Sequence, residues 1–557
     1  MKKLIIVPFL LFSFMLSAQE VMSDIYLMDF QRLEQLKDTV NDPARSFVMR
    51  STTQFWNRAL VDTAKKRKWP LVQLTQATYN WQTNSDLPIG SNNGTLYPSV
   101  GLQQRVSIGV HAQWKGFSLL LQPEYVTAVN ADPVGFKSDP GDGNYWAKYY
   151  LYNVNKIDNF SRFGTTPIST VFLGQSSFRY NTKELSAGIS NENLWWGPGI
   201  KNSLVLTNNA PGFLHATINT RKPIPTAIGN IEFQVVAGAL KNVETESPDN
   251  ETMRGIWADG IAKKQKADRE LVGAIFSWNP KWMPNLHIGA AGATYFYKDS
   301  TGVTPSVLVM DSENKKGSAS LGSLFFRYAL PKEHAEVYVE YGRANKLATP
   351  FNIIGDTIPT GYTAGFRKLF KNNDNKWGIL FGIEITQLQL PDGRLIFNKA
   401  GIFGIPRTNS WYTHPYITQG YTNLGKVMGA SIGPGSNSEL VSLSWVKGLK
   451  RIGISAERLA HNNDFYYYNY FTGIVGTGTA SKYWVDWNVS LQVQWDYKQF
   501  LFSGFINHTS ALNYRWVKLD GGFADPSRLS DRTNTQAAFS MSYFFKRNVS
   551  SLIRTKE

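Results

Sequence analysis

Polar and apolar residues alternate strictly along the segment from Val485 to Tyr497. Every second residue is aliphatic or aromatic, and the residues between them are Asp, Asn, Ser or Gln. Successive side chains of a β-strand point to opposite faces, so this segment predicts a strand with one apolar and one polar face. Its length of about a dozen residues is long for a soluble sheet and suits a tilted strand that crosses a bilayer.

The same alternation recurs from about residue 70 to residue 546. Roughly sixteen to eighteen such segments are separated by clusters of Gly, Asn, Asp and Pro, which are typical of turns. The pattern predicts an all-β membrane protein, a large closed antiparallel outer-membrane β-barrel of about 16–18 strands over residues 70–546. Clear examples of the alternation are residues 106–114, 377–386, 441–445 and 537–545.

Four stretches are too long for tight turns and are rich in Gly, Asn, Tyr and Pro. We interpret them as external loops or as loops folded into the lumen. Many outer-membrane barrels end on an aromatic residue that the barrel assembly machinery reads, so Tyr543 to Phe545 are expected to be a displaced form of this signal. Residues 547–557 are then a periplasmic tail. The four loops are residues 131–180, 241–268, 392–436 and 461–482.

The first residues have the layout of a secretory signal peptide. Lys2 and Lys3 form a basic region, and an apolar core runs from Leu4 to Leu16 before a cleavage zone. The core is too short for an ordinary transmembrane helix, and no apolar stretch of roughly eighteen residues follows it. We therefore predict a signal peptide over residues 1–19 and localisation to the outer membrane.

Residues 20–69 carry the one readable helical pattern. Apolar residues recur at three- and four-residue steps after Asp24, which is a candidate cap. A second short helix is predicted over residues 43–60, and the basic run 65–68 is interpreted as a solvated or headgroup-facing linker. This short N-terminal helical element is expected at the periplasmic end of the barrel.

Composition agrees with a barrel. Charged residues are only 18% of the chain, whereas aromatic residues reach 14%, as the aromatic girdles at both bilayer interfaces require. An aromatic-rich extracellular β-sandwich is the alternative on composition alone. The chain has no cysteine, which excludes disulfides, thiolate catalysis and Cys-ligated metal sites.

The formal net charge of +16 favours anionic partners. Export argues against nucleic acid, so lipid A phosphates or an acidic polysaccharide are the better candidates, and attraction to an acidic glycan would weaken with salt. Simple solubility, with cationic loop surfaces, explains the charge equally well.

The densest motif runs from Asn193 to Gly199 and continues from Ser203 to Pro211. Paired Trp residues stack on sugar faces or anchor at a membrane interface, and Gly–Pro–Gly forces a turn. From the residues alone, a structural turn at the barrel rim with girdle Trp is the favoured interpretation.

No catalytic, cofactor or metal constellation is readable. The histidines show no HExxH spacing or other ligand pair, and His111 is expected to be an ordinary lumen residue. Glu340 and Arg343 are candidates for lumen ion pairs. We therefore predict no catalytic residue, no cofactor and no metal. The seven histidines are His111, His215, His287, His334, His414, His461 and His508.

Three stretches resemble the capsule-assembly Wzi proteins of the outer membrane. The resemblance covers most of the mature chain. One departure is Gly435, which stands where the family's Gly–Pro–Asp–Ser motif has Asp. The matching residues, candidates for structural or glycan-binding roles, are Trp195, Trp196, Gly197, Pro198, Gly199, Asn208, Asn209, Glu340, Arg343, His414, Tyr416, Gly433 and Pro434.

The resemblance implies a large barrel with a small periplasmic helical element and a lectin-like role in attaching capsular polysaccharide. The expected partners are surface polysaccharide, outer-membrane lipids including lipopolysaccharide, and the barrel assembly machinery. Two alternatives stay open. A porin or diffusion channel predicts an open lumen, and an outer-membrane enzyme acting on lipid or glycan predicts a deep carboxylate–His cluster.

Overall fold

In the computed structural model, the chain forms a closed antiparallel β-barrel. The structure describes residues 23–37, 44–51, 69–132, 143–299, 317–344, 359–374, 376–390, 409–471, 483–516, 531–545 and 549. Within these residues the barrel has 18 strands, the upper end of the predicted range. No helix in this part of the chain is both long and apolar enough to cross a bilayer.

The strands combine β-branched, aromatic and small polar residues, a composition that fits a pleated surface between lipid and lumen. In chain order they are β1 (Leu71–Asn84), β2 (Gly101–Trp114), β3 (Phe117–Leu121 with Glu124–Ala128), β4 (Ile168–Phe172 with Ser177–Asn181), β5 (Leu185–Ser190), β6 (Leu214–Thr220 with Ile224–Thr226), β7 (Gly229–Leu240), β8 (Arg269–Pro280), β9 (Leu286–Tyr297), β10 (Ser318–Leu330), β11 (Ala335–Ala344), β12 (Thr360–Lys371), β13 (Gly378–Gln387), β14 (Asn437–Lys447), β15 (Lys450–Ala460), β16 (Val485–Tyr497), β17 (Phe500–Leu512) and β18 (Arg532–Phe544).

Strand β16 has the predicted bounds and the predicted faces. Trp487 and Val489 are 49% and 62% exposed on the outer surface, where they face lipid. Asp486 and Gln494 are buried on the inner side. The strict alternation therefore separates lipid from lumen, as the sequence predicted.

The barrel closes because β1 pairs with β18, with Gln76 opposite Phe544. The start of β1 and the end of β18 therefore lie at the same rim. Eight short turns join strands at that rim, for example Lys115 and Gly116 between β2 and β3. We call it the short-turn end, and the opposite rim the long-loop end. Short turns of outer-membrane barrels are periplasmic.

Helix α1 (Ser23–Leu36) lies inside the short-turn end. Its Leu27 and Met28 pack against Leu501 and Phe544 of the barrel wall. The predicted first helix is therefore confirmed, although Asp24, the expected cap, already lies within it. The placement of this end in the periplasm stays a prediction.

The second predicted helix, over residues 43–60, is wrong over residues 44–51. There the chain is extended, and Met49–Ser51 pairs with Leu194–Trp196 as a two-stranded sheet inside the barrel. Phe47 and Val48, which were expected on one helix face, are both buried within this extended segment. Residues 52–60, the signal peptide 1–19, the basic run 65–68 and most of the tail 547–557 lie outside the described residues.

The largest apolar core lies within the lumen. Val48, Trp196, Leu204, Trp411 and Tyr421 belong to one buried cluster that also includes wall residues. These five side chains come from residues 44–51, 191–213 and 409–436. Together with α1, these three segments are called the plug.

The long connections contain helices that the sequence did not predict: α2 (Gly143–Tyr152), α3 (Asp249–Trp257) and α4 (Asn463–Phe471). They pack together through Tyr150, Met253 and Phe465 at the long-loop end.

The predicted loops 241–268, 392–436 and 461–482 do fall between strands. The loop predicted over residues 131–180 is too long, because β4 occupies its last part. The segment Leu173–Gly174–Gln175–Ser176, with Gly174 at positive φ, interrupts β4 and its alternation.

Candidate functional site

The paired tryptophans of the motif lie in the lumen. Trp195 and Trp196 are only 1% and 0% exposed. Each indole N–H donates to a buried oxygen: Trp195 Nε1 to Ser203 Oγ at 3.0 Å, and Trp196 Nε1 to Gln234 Oε1 at 2.9 Å. The predicted rim turn with girdle Trp is therefore wrong. The segment turns inward because its Trp residues find hydrogen-bond partners and apolar contacts in the plug.

The Gly–Pro–Gly turn carries the chain past two arginines of the N-terminal plug. Arg32 donates to the carbonyl of Pro198 at 2.7 Å, and Arg50 donates to the carbonyl of Gly197 at 3.4 Å. Gly197 has φ of 127°, and a Cβ on Gly199 would lie 1.7 Å from the Asn202 carbonyl. Glycine is required at both positions, since side chains are excluded there.

The backbone after this turn binds a carboxylate of the barrel wall. The amides of Ile200 and Asn202 donate to Glu384 at 2.6 and 2.8 Å. Glu340 accepts from Ser323 Oγ at 2.7 Å and from the Leu204 amide at 3.2 Å. Backbone N–H groups, rather than charged side chains, thus bind the carboxylates of Glu384 and Glu340 and fix the motif to the wall.

Glu340 and Arg343 were candidates for lumen ion pairs. Glu340 is held by these hydrogen bonds, and Arg343 is buried on the same strand. The charged cluster of this part of the wall is centred on Glu336, which the sequence analysis missed. Its carboxylate lies 3.1, 2.7 and 2.6 Å from the guanidinium groups of Arg32, Arg327 and Arg367, respectively. All four side chains are buried, so the cluster ties α1 to β10, β11 and β12.

The other motif residues also lie in or beside the plug. Asn209 Nδ2 donates to the Val427 carbonyl at 2.9 Å, and the Asn208 carbonyl accepts from the Gly94 amide at 2.8 Å. His414 accepts the Ile417 amide at 3.0 Å. Burial lowers the pKa of His414 to about 4, so it stays neutral. Exposed Tyr416 follows it.

Gly433 and Pro434 precede Gly435, the position that departs from the family motif. A Cβ on Gly435 would lie 2.9 Å from the carboxylate of Asp464 in α4. A different segment therefore supplies an acidic group beside this position. Burial raises the pKa of Asp464 to about 7.

A cavity of about 290 Å³ opens at the long-loop end, and we call it the cleft. Aromatic residues of the long connections form its rim. The indole ring of Trp484 stacks on His461 at 3.8 Å and meets Tyr514 and Trp516 edge-on at 4.9 and 5.0 Å. The rim is therefore a packed aromatic cluster in which Trp484 is partly exposed, while Tyr514 and Trp516 are buried beneath it.

The floor of the cleft is made of amide side chains on the inner faces of the strands. Asn507 Nδ2 donates to Asn488 Oδ1 at 3.2 Å, and Ser490 Oγ donates to Asn507 Oδ1 at 2.7 Å. Gln82 and Gln536 extend this floor onto β1 and β18. The amides are held in fixed orientations and present both donors and acceptors.

The charged groups of the cleft are neutralised by their neighbours. Lys201 forms an ion pair with Glu457, and Arg515 lies 3.2 Å from Asp249. Lys426 Nζ donates to Asn93 Oδ1 at 2.7 Å and to two backbone carbonyls. Burial and nearby Arg105 lower the pKa of Lys426 to about 7. The expected attraction of basic residues for an acidic glycan is therefore weak here.

Of the predicted site residues, Asn209, Gly433 and Pro434 line the cleft. The rest serve the plug, and the rim aromatics were missed. The sequence did carry one signal for the cleft, because the predicted polar face of β16 contains the floor residues Asn488 and Ser490. Across the described chain, no cluster of three His, Asp or Glu side chains is placed to hold a metal ion.

The sequence model of the capsule assembly protein Wzi matches residues 82–502, which is 421 of the 557 residues. No curated protein sequence matches the chain. The fold is similar to that of Escherichia coli Wzi, an outer membrane protein involved in group 1 capsule assembly and described as a carbohydrate binding β-barrel. The two share 11% identity over 95% of this chain and 99% of that chain, with a TM-score of 0.57.

Two other solved barrels share less of the geometry. OccAB2 of Acinetobacter baumannii is 10% identical, with coverage of 85% and 98% and a TM-score of 0.40. A BenF-like porin from Pseudomonas fluorescens is 9% identical, with coverage of 85% and 98% and a TM-score of 0.37. Since the Wzi sequence model covers more than half of the chain, this outer-membrane β-barrel belongs to the Wzi family of capsule assembly proteins.

Proposed function

We propose that the cleft binds a segment of surface polysaccharide and holds it at the cell surface without cleaving it. The observation that carries the proposal is an aromatic rim above a floor of amides. Aromatic rings cover the C–H faces of sugars, and amides satisfy sugar hydroxyls as donors and acceptors. A polysaccharide presents apolar C–H faces and hydroxyl groups in alternation along its length, so it matches both parts of the cleft.

Preorganisation supports binding. Trp484 Nε1 donates to Asp486 Oδ1 at 2.7 Å, and Trp516 Nε1 donates to the His461 carbonyl at 3.2 Å. Because the rings are fixed before a ligand arrives, less conformational entropy is lost on binding. Family membership and the carbohydrate binding described for the E. coli protein point to a capsular polysaccharide.

One observation favours an enzyme instead. His461 Nε2 lies 2.8 Å from Asp486 Oδ2 within the cleft, and such a pair is one component of a hydrolytic site. However, none of the described hydrogen bonds joins His461 to a serine hydroxyl, and Asp486 also accepts the Trp484 indole N–H. We therefore assign the pair to positioning Trp484, and His461→Ala should not create or remove any glycan cleavage.

The channel alternative has less support. Residues 44–51, 191–213 and 409–436 occupy the lumen, and buried ion pairs join α1 to the wall. Purified protein in planar bilayers should therefore show little single-channel conductance. We also propose lipopolysaccharide as the lipid around the long-loop end, and the barrel assembly machinery as the partner in insertion.

A matched pair of variants tests the binding proposal. Trp484→Leu removes the central ring of the rim, whereas Trp487→Leu changes a Trp that faces lipid three residues later. Binding of the host's own surface polysaccharide to the purified chain should fall about tenfold in Trp484→Leu, since each ring contact contributes about 1 kcal/mol beyond burial. Trp487→Leu should bind as the wild type does.

Equal binding by both variants would place the glycan elsewhere. The size distribution of the polysaccharide after incubation, measured by gel filtration, tests the absence of turnover. An unchanged profile is expected, and shortened chains would establish an enzyme.

A further inference from the structure

The short-turn end carries a ring of lysines. Six of its eight turns contain an exposed lysine within the turn itself. In a seventh turn, between β14 and β15, Lys447 and Lys450 flank the connection. We call this set the lysine collar. The six turn residues are Lys115, Lys183, Lys281, Lys332, Lys376 and Lys498.

Little of this charge is neutralised within the protein. Lys376 lies 3.7 Å from Asp374, and Lys450 lies 2.7 Å from Asp496. The other five turn lysines take part in none of the ion pairs found among the described residues. Lysines with solvated ammonium groups attract anions over distances of about a Debye length, roughly 8–10 Å.

The collar lies at the edge of the lipid-facing surface. The ammonium of Lys115 lies 4.7 Å from the ring centroid of Trp114, and that of Lys498 lies 5.3 Å from that of Tyr497. Both rings are exposed on the outer surface. Aromatic girdles mark the depth of the headgroups, so these ammonium groups lie at the level of lipid phosphates.

The opposite end has a different charge pattern. Its connections combine both signs in pairs such as Lys264 with Asp158 and Arg254 with Glu246. Exposed lysines such as Lys241, Lys263 and Lys298 also occur at that end, but they lie in long connections that carry acidic residues as well, whereas the collar lysines lie in short turns. The collar lysines lie in or beside seven of the eight turns around the rim, whereas a protein partner would bind a patch on one side.

We propose that the lysine collar binds the phosphate groups of anionic phospholipids in the leaflet at the short-turn end. The ring matches the annulus of lipids that surrounds a barrel. Each lysine ammonium attracts a phosphate and donates to its oxygens, and at Lys115 and Lys498 the neighbouring aromatic ring holds the lysine stem at the interface. The collar fixes the depth and tilt of the barrel independently of any ligand in the cleft.

The test uses the full chain in vesicles of phosphatidylcholine with spin-labelled phosphatidylglycerol or spin-labelled phosphatidylcholine. The variant Lys115→Gln/Lys183→Gln/Lys281→Gln/Lys498→Gln removes four charges from the collar. A matched variant, Lys241→Gln/Lys263→Gln/Lys266→Gln/Lys298→Gln, removes four exposed charges from the long-loop end. Heat-modifiable electrophoretic mobility confirms that each variant is folded.

Wild-type protein should immobilise phosphatidylglycerol in preference to phosphatidylcholine. The collar variant should lower this preference about fivefold at the affected sites, the factor expected for one interfacial lysine per lipid. The long-loop variant should retain the preference. No preference in the wild type, or an equal loss in both variants, would overturn the proposal.

Discussion

The cleft at the long-loop end and the lysine collar at the short-turn end handle charge in opposite ways. In the cleft at the long-loop end, Lys201 and Arg515 are paired with carboxylates and the remaining surface is aromatic or amide. At the short-turn end, lysines such as Lys183 and Lys281 are exposed on turns. The net charge of +16 therefore gives no guide to the ligand of the cleft.

This difference separates two kinds of recognition. Paired charges and fixed amides read the shape and hydroxyl pattern of a ligand, and salt affects them little. Solvated lysines attract any anion and are screened by salt. A surface anchor needs the first property toward its glycan and the second toward its membrane, so the separation fits the proposed role.

The largest effect is expected in a test of which end of the barrel faces the cell exterior, since the comparison assumes that the long-loop end does. Because the chain has no cysteine, Lys183→Cys and Lys263→Cys each introduce a single thiol at opposite ends. A membrane-impermeant maleimide applied to intact cells should label Lys263→Cys nearly completely and Lys183→Cys only after permeabilisation. Labelling of Lys183→Cys in intact cells would reverse the assignment of the two ends.

The next largest effect is expected on stability, from the buried Glu336 cluster that joins α1 to the barrel wall. Glu336→Ala leaves three buried arginines without their carboxylate and should cost about 3–5 kcal/mol of unfolding free energy. Glu439→Ala breaks the exposed pair with Arg458 and should cost at most about 1 kcal/mol. Urea titration in detergent or vesicles measures both. Equal losses would mean that the cluster does not hold the plug.

A smaller effect concerns pH at the long-loop end. The folded pKa of Asp464 is about 7, above its usual value, so the folded state keeps a proton that the unfolded state releases. Stability should therefore fall as the pH rises from about 4 to about 7 and change little above that. In Asp464→Asn, the urea concentration at the unfolding midpoint should no longer fall over this pH range. An unchanged slope in Asp464→Asn would assign it to other groups.

The smallest change is expected when salt is added to the glycan-binding assay. Affinity in the cleft should vary by less than about twofold between low and high ionic strength, because its charges are already paired. The preference of the collar for anionic lipid should weaken over the same range. A steep salt dependence of glycan binding would show that unpaired charges outside the described cleft contribute.

The strands could be predicted because lipid and lumen impose opposite demands on alternate residues. In β16 the pattern gave the bounds and both faces correctly, including the floor residue Asn488. The short helices α2 and α4 were missed, because their Tyr-rich sequences are neither strongly periodic nor capped by a clear signal.

The plug could not be predicted from local sequence. Trp195 and Trp196 have the composition of girdle residues, and a Trp that faces lipid looks the same as one packed in the lumen. A signal was nevertheless present in Glu336, Glu340 and Glu384. Acidic residues on the inner faces of β11 and β13 require partners. The plug supplies several of them, including Arg32 and the amides of Ile200 and Leu204.

The most direct test of the account measures where the polysaccharide is in living cells. Cells that lack the gene should release surface polysaccharide into the medium while total synthesis stays near normal. Complementation with the wild type or with Trp487→Leu should restore the cell-bound fraction, and Trp484→Leu should not. Loss of total synthesis, or unchanged retention in the deletion strain, would contradict the proposal that this barrel is a polysaccharide anchor.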